Sequence, residues 1–189
     1  NNDISNFILS QLALTDQVVL IGPPGTGKTY QIAEICKRLC GQGKSVLVTS
    51  LTNRALIEVI EKPALENMLD EGKVFKTKIS TDEAKEFPRL EQTKEVNPQP
   101  GILVLSTFFI ASSEAVNLTD KPPFDYVIVD EASQALLAMF GTAKLLGKKN
   151  IWIGDTNQLP PVVAINEDKV SKKNYDILVD GLKALSDTS

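Results

Sequence analysis

Residues 22–29 read Gly22-Pro23-Pro24-Gly25-Thr26-Gly27-Lys28-Thr29, a Gly-x-x-x-x-Gly-Lys-Thr pattern without mismatch. No other feature of the chain restricts its fold so tightly, because the pattern works only where a strand enters the loop and a helix leaves it. The apolar run 18–21 supplies the strand, and residues 29–39 have helical spacing. Glycines let backbone N–H groups converge on phosphate oxygens, and the following helix turns its positive end to the same anion. The expectation is a nucleoside triphosphate cradle made of Gly22, Pro23, Pro24, Gly25, Thr26, Gly27, Lys28 and Thr29 with the adjoining Tyr30. Lys28 is placed to reach the β- and γ-phosphates, and Thr29 to present its hydroxyl to Mg²⁺.

A second element lies downstream, where the apolar run 126–129 ends in Asp130-Glu131. An unbroken apolar run is the mark of a buried parallel strand, and its C-terminal edge is where open α/β sheets take ligands. Asp130 is expected to hold the Mg²⁺ opposite Thr29, and Glu131 to orient and deprotonate an attacking water. A third apolar run, 151–153, leads through Gly154-Asp155 into a polar loop holding Gln158. An amide at a sheet edge can hydrogen-bond a γ-phosphate and lose that contact when the phosphate leaves, so Gln158 is the candidate sensor. The same loop also has the composition of an ordinary surface turn.

Taken in order, Gly-Pro-Pro-Gly-Thr-Gly-Lys-Thr, Val-Asp-Glu-Ala-Ser-Gln (129–134) and Gly-Asp-x-x-Gln-Leu-Pro-Pro-Val (154–162) resemble superfamily 1 helicases, the Upf-like group above all. Residues 46–55 are similar to that family's motif Ia and residues 104–107 to its motif Ic, so five motifs stand in family order over roughly residues 18–163. The resemblance implies a RecA-like motor domain that uses ATP and Mg²⁺ to move along single-stranded nucleic acid, 5′ to 3′, and separate duplexes. It implies the roles above for Lys28, Thr29, Asp130, Glu131 and Gln158, and strand contacts for Thr52, Asn53 and Thr107. Thr52 or Asn53 would equally serve as the N-cap of a helix entering the apolar stretch from Ala55.

The chain departs from the family pattern at two places. Neither Gln11 nor Gln17 lies far enough upstream of the loop to match the family's adenine-reading glutamine. Family motors also carry a second RecA-like domain with arginines that reach the γ-phosphate, whereas the three arginines here, Arg38, Arg54 and Arg89, all precede the acidic pair. The first residue is Asn rather than Met. Together these points predict the first motor domain of a longer protein, partnered by that second domain and active only weakly without it.

A length of 189 residues, 42% of them apolar, suits one α/β domain spanning 1–189 with a parallel sheet covered on both faces. An amphipathic helix is expected over 3–14, and further strands near 45–49, 102–106, 125–130 and 150–154. Residues 63–100 interrupt the rhythm, rich in Glu and Lys and closing on Asn97-Pro98-Gln99-Pro100. They read either as a small accessory insert that touches the strand or as a surface excursion of short helices. Cys36 and Cys40 share a helix face, and with no histidine in the chain they read as buried apolar residues rather than a zinc site. The lack of histidine also leaves Glu131 with little competition as general base.

A net charge of −4 argues against a broad basic surface but not against a strand held in a cleft by short polar loops. No apolar stretch approaches the roughly 20 residues a membrane span needs, so an intracellular protein is expected. A nucleotide-gated switch that does not translocate would need the same phosphate-sensing residues. A GTPase fits less well without an Asn-Lys-x-Asp guanine reader, and a small-molecule kinase without an arginine-rich lid.

Overall fold

A computed structural model describes residues 2–23, 25–115, 122–132 and 137–155. In chain order they form α1 (Asn2–Leu14), β1 (Gln17–Ile21), α2 (Lys28–Gly41), β2 (Val46–Ser50), α3 (Asn53–Ile60), a 3-10 turn (Pro63–Leu65) and α4 (Glu66–Asp70). There follow β3 (Val74–Lys76), α5 (Thr81–Glu86), β4 (Glu91–Gln92), β5 (Leu103–Thr107), α6 (Phe108–Ala115), β6 (Phe124–Val129), α7 (Leu137–Leu146) and β7 (Gly147–Gly154). The strands make one seven-stranded sheet in the order β1-β7-β6-β2-β5-β3-β4, with every neighbouring pair parallel. This is the expected α/β P-loop fold of RecA-like type.

Alternation along the central strands divides the core in two, because successive side chains leave a strand on opposite faces. Val46, Val48, Leu103, Leu105, Ile128, Ile151 and Ile153 face one way and pack with Ile8, Leu12, Ile32, Ile35, Leu39, Leu56 and Val59 of α1, α2 and α3. Leu47, Val104, Val127, Val129 and Trp152 face the other way and meet Ala111, Ala115, Ala143 and Leu146 of α6 and α7. Helices therefore cover both faces, which is why these strands read as continuous apolar runs. α1 is fastened by Ser5, whose buried hydroxyl donates to Gln31 Oε1 of α2 at 2.6 Å.

Cys36 and Cys40 are free and buried in the first of these cores. Burial pushes the Cys36 thiol up and the Cys40 thiol to about 12, so both stay protonated and behave as small apolar groups. Among the described residues no helix is long and apolar enough to cross a membrane.

Residues 63–100 are not a purely helical excursion, since β3 pairs with β5 and β4 with β3, adding two strands to the sheet. Leu65, Met68, Val74 and Leu90 from this stretch join the main core. Lys76, the last residue of β3, is 2% exposed and pairs with Glu83 at 3.1 Å.

Candidate functional site

The phosphate loop leaves β1 and closes on α2. Gly25 and Gly27 have φ of 77° and 79°, left-handed values that a side chain would strain, and a Cβ at either would point into open space. Gly27 is also the N-cap of α2 and offers no side chain there, so the first N–H groups of the helix remain free to face a ligand. Lys28 Nζ donates to the carbonyls of Gly22 at 2.5 Å and Pro23 at 2.7 Å, and Thr26 Oγ1 donates to Pro23 O at 2.8 Å. The Gly22 N–H donates to Gly154 O at 3.2 Å, which anchors the root of the loop to the end of β7.

β7 lies between β1 and β6, so the acidic pair stands two strands away from the loop, about 10 Å at ordinary strand spacing. The Asp130 N–H extends the ladder by donating to Thr49 O at 2.9 Å. Asp130 Oδ1 accepts from the Glu131 N–H at 2.8 Å, and Glu131 turns into the left-handed region at φ 55°. That turn sends its carboxylate back toward β2, where Oε2 accepts from Ser50 Oγ at 2.9 Å and Thr52 Oγ1 at 3.0 Å. Burial raises the Asp130 pKa to about 6; the Glu131 charge adds to the rise, and the Glu131 N–H and the Lys28 ammonium oppose it.

A cavity of about 550 Å³ joins these pieces. Its lining brings together Gly25, Gly27, Lys28, Thr29 and Tyr30 with Asp130 and Glu131, as the sequence predicts. It also includes Glu58 and Lys62, which sequence reasoning missed. Both sit at or just beyond the end of α3, about thirty residues from the loop, and only the tertiary packing of α3 reveals them. Pro24 and Gln158, two further expected site residues, lie outside the described residues. Among the described residues no group of three or more His, Cys, Asp or Glu gathers as a metal site.

The three expected strand contacts divide between two places. Asn53 and Thr107 line one cavity of about 400 Å³ with Lys76, Thr77, Lys78, Ser80 and Glu83. Asn53 Nδ2 donates to Glu83 Oε1 within it. Thr52 turns to Glu131 instead, and also fulfils the capping expectation, its Oγ1 accepting from the Ala55 N–H at 3.3 Å at the start of α3.

Comparison with known proteins gives a consistent picture. Residues 8–164 match the family model described as AAA domain. The chain is 34% identical over 152 residues to the DNA replication ATP-dependent helicase/nuclease DNA2 of Saccharomyces cerevisiae, covering 78% of this chain and 10% of that protein. It is 30% identical over 173 residues to the DNA replication ATP-dependent helicase/nuclease JHS1 of Arabidopsis thaliana, covering 88% and 13%. The chain thus spans about a tenth of the length of these curated relatives. Among solved structures, a nuclease-deletion mutant of the Type ISP restriction-modification enzyme LlaGI, in complex with a DNA substrate mimic, superposes with TM-score 0.50 at 17% identity, covering 87% of this chain and 18% of that one. The Hef helicase domain of Pyrococcus furiosus gives TM-score 0.50 at 15% identity, covering 94% and 36%. At such identities these two likenesses bear on the fold.

Proposed function

This chain belongs to the AAA domain family, and from that premise we propose that it is the ATP-hydrolysing motor domain of a superfamily 1 helicase acting on single-stranded DNA. The observation that carries the reading is the single cavity shared by Lys28, Thr29, Asp130 and Glu131 at the C-terminal edge of a parallel sheet. The open space beside Gly25 and Gly27, which side chains would fill, suits a polyphosphate. A hydroxyl and a carboxylate, both hard oxygen donors, suit Mg²⁺. When bound, that ion would supply positive charge to offset the negative charge that develops on the phosphate oxygens.

Within that frame the loop N–H groups and the start of α2 hold the phosphates, and Lys28 exchanges the Gly22 and Pro23 carbonyls for phosphate oxygens. Tyr30 lines the cavity beside the loop. Thr29 and Asp130 are the residues that would hold the metal. Glu131 orients the attacking water and takes its proton, and Gln158 senses the γ-phosphate. Thr52, Asn53 and Thr107 hold phosphates of the DNA strand. DNA is favoured over RNA by the DNA-replication helicases to which the chain is similar. We assign residues 1–189 to one RecA-like domain with an insert at 63–100, working against a second RecA-like domain of the same full-length, intracellular protein.

The test is steady-state ATP hydrolysis by the full-length protein without nucleic acid, with single-stranded DNA, and with single-stranded RNA of equal length. Strong stimulation by DNA is the expected result. Tight ATP binding with no stimulation by either strand would replace the motor by a nucleotide-gated switch. Glu131→Gln keeps a side chain of the same length and is expected to bind ATP while turnover falls at least about a hundredfold; retained turnover would remove Glu131 from the base role.

A further inference from the structure

The second cavity, of about 400 Å³, lies where α3 and the start of α6 meet the turn between β3 and α5. Leu56 and Ile110 give it an apolar lining, and Asn53, Lys76, Lys78 and Glu83 give it an amide and its charges. Two lysines against one glutamate leave it positive in a chain whose net charge is −4. The two lysines differ in what they do. Lys76 is buried and committed to Glu83, 3.1 Å away, and its ammonium also donates to the carbonyl of Lys78. Lys78 is exposed, and no carboxylate among the described residues pairs with its ammonium. The buried ion pair thus fixes the backbone of the residue that carries the uncommitted cation.

Glu83 also faces Asn53. Its Oε2 accepts from Lys76 and, at 2.8 Å, from the Ser80 N–H, while its Oε1 accepts from Asn53 Nδ2. An ionised carboxylate only accepts, so it takes the nitrogen of the Asn53 amide and never the oxygen. That nitrogen, with a second hydrogen still to donate, therefore stays on the cavity side.

We propose that this cavity takes a phosphate of the single strand, with Lys78 as its cationic contact and Glu83 as the positioning residue that keeps the Asn53 amide nitrogen turned toward it. Without the carboxylate, the amide is free to rotate by half a turn and present its carbonyl oxygen, which repels a phosphate. Lys76 offsets the Glu83 charge, so the carboxylate orients Asn53 without driving the anion away. Thr107, at the end of β5, lines the same cavity. The inference rests on the strand-binding reading above and adds Lys78 and Glu83 to it.

Binding of fluorescein-labelled oligothymidine to the full-length protein is measured by anisotropy over a series of salt concentrations. Lys78→Ala is expected to weaken binding about three- to tenfold at low salt and to make the slope of log K against log salt less steep by about 0.7, the value of one lost phosphate contact on a single strand. Lys44, an exposed lysine just before β2 at the opposite edge of the sheet, serves as control, and Lys44→Ala should leave the slope unchanged. Glu83→Gln keeps the size of the side chain; its oxygen serves Lys76 and the Ser80 N–H, which leaves its nitrogen against Asn53 and reverses that amide. The expected loss of affinity is about three- to tenfold, and Glu83→Gln should cost nothing further in an Asn53→Ala background, because its effect passes through Asn53. If Lys76 beside a neutral partner prevents folding, Lys76→Met is added to every member of the cycle, which subtracts whatever does not pass through Asn53. An unchanged slope in Lys78→Ala, or additive losses from Glu83→Gln and Asn53→Ala, overturns the proposal while the motor stands. A wild type that binds no oligothymidine overturns both.

Discussion

Asp130 shows what a residue at this site costs the fold. Its carboxyl stays partly open to solvent, yet the packing around it and the neighbouring Glu131 raise its pKa from 3.8 to about 6. Between those values the folded protein retains a proton that the unfolded chain has released, so stability falls as pH rises through this window. Above about pH 6 the full cost is present, roughly 2 kcal/mol once screening at the exposed edge is allowed for. Asn in its place can still accept the Glu131 N–H through its amide oxygen. Without nucleotide or metal, Asp130→Asn is therefore expected to stabilise the protein by roughly 2 kcal/mol at pH 8 and by almost nothing at pH 4. Urea unfolding at pH 4, 6 and 8 measures this directly, and an equal gain at all three would mean that burial of the charge is not its source. On the proposed metal role of Asp130, such a site gives up stability to keep a carboxylate where a cation would be held.

At the scale of elements, β3, α5 and β4 were the least legible part of the sequence. A three-residue strand and a two-residue strand are too short to show a period, and β3 ends in a charged residue. Lys76 can be buried because Glu83, seven residues later, pairs with it and is itself held by the Ser80 N–H and Asn53. Burial alone would raise the Glu83 pKa, but those donors outweigh it and hold the carboxyl below its ordinary 4.5. Its contribution is accordingly complete above about pH 4.5 and is lost as pH falls through the lower folded value. Glu83→Leu leaves a buried ammonium without its carboxylate and is expected to cost about 3–5 kcal/mol, whereas adding Lys76→Met to it should recover most of the loss. A double-mutant cycle in urea reads the coupling, and simple addition of the two single losses would show that the pair does not act as a unit. The central strands, by contrast, were readable because two-sided burial writes an apolar run into each of them.

Over the whole molecule, the candidate residues come from distant points of the chain and meet at one edge of the sheet. β1 delivers the loop, β2 leads to Thr52 and Asn53, β5 ends in Thr107, and β6 presents Asp130. The loop and the acidic pair were legible because each needs particular residue types in series, and they line one cavity. The strand order was not, since nothing in the sequence says that β7, far downstream, inserts between β1 and β6 and sets the width of the cavity. Nor does any local pattern place Ser50 against Glu131, eighty-one residues apart. A site assembled from so many strands exists only in the folded chain, so its ligand must stabilise the whole fold. Mg-ATP at about one hundred times its Kd is expected to add about 2.7 kcal/mol, which for a chain of this size raises Tm by roughly 5–10 °C. Lys28→Ala removes the ammonium that now rests on Gly22 and Pro23, a loss of one part-buried and one exposed hydrogen bond costing roughly 1 kcal/mol in the free protein. Its larger effect appears with nucleotide, where the shift should shrink to less than about 2 °C in thermal unfolding monitored by circular dichroism. A full shift in Lys28→Ala would place the nucleotide elsewhere, and the cavity between the loop and the acidic pair would then need another occupant.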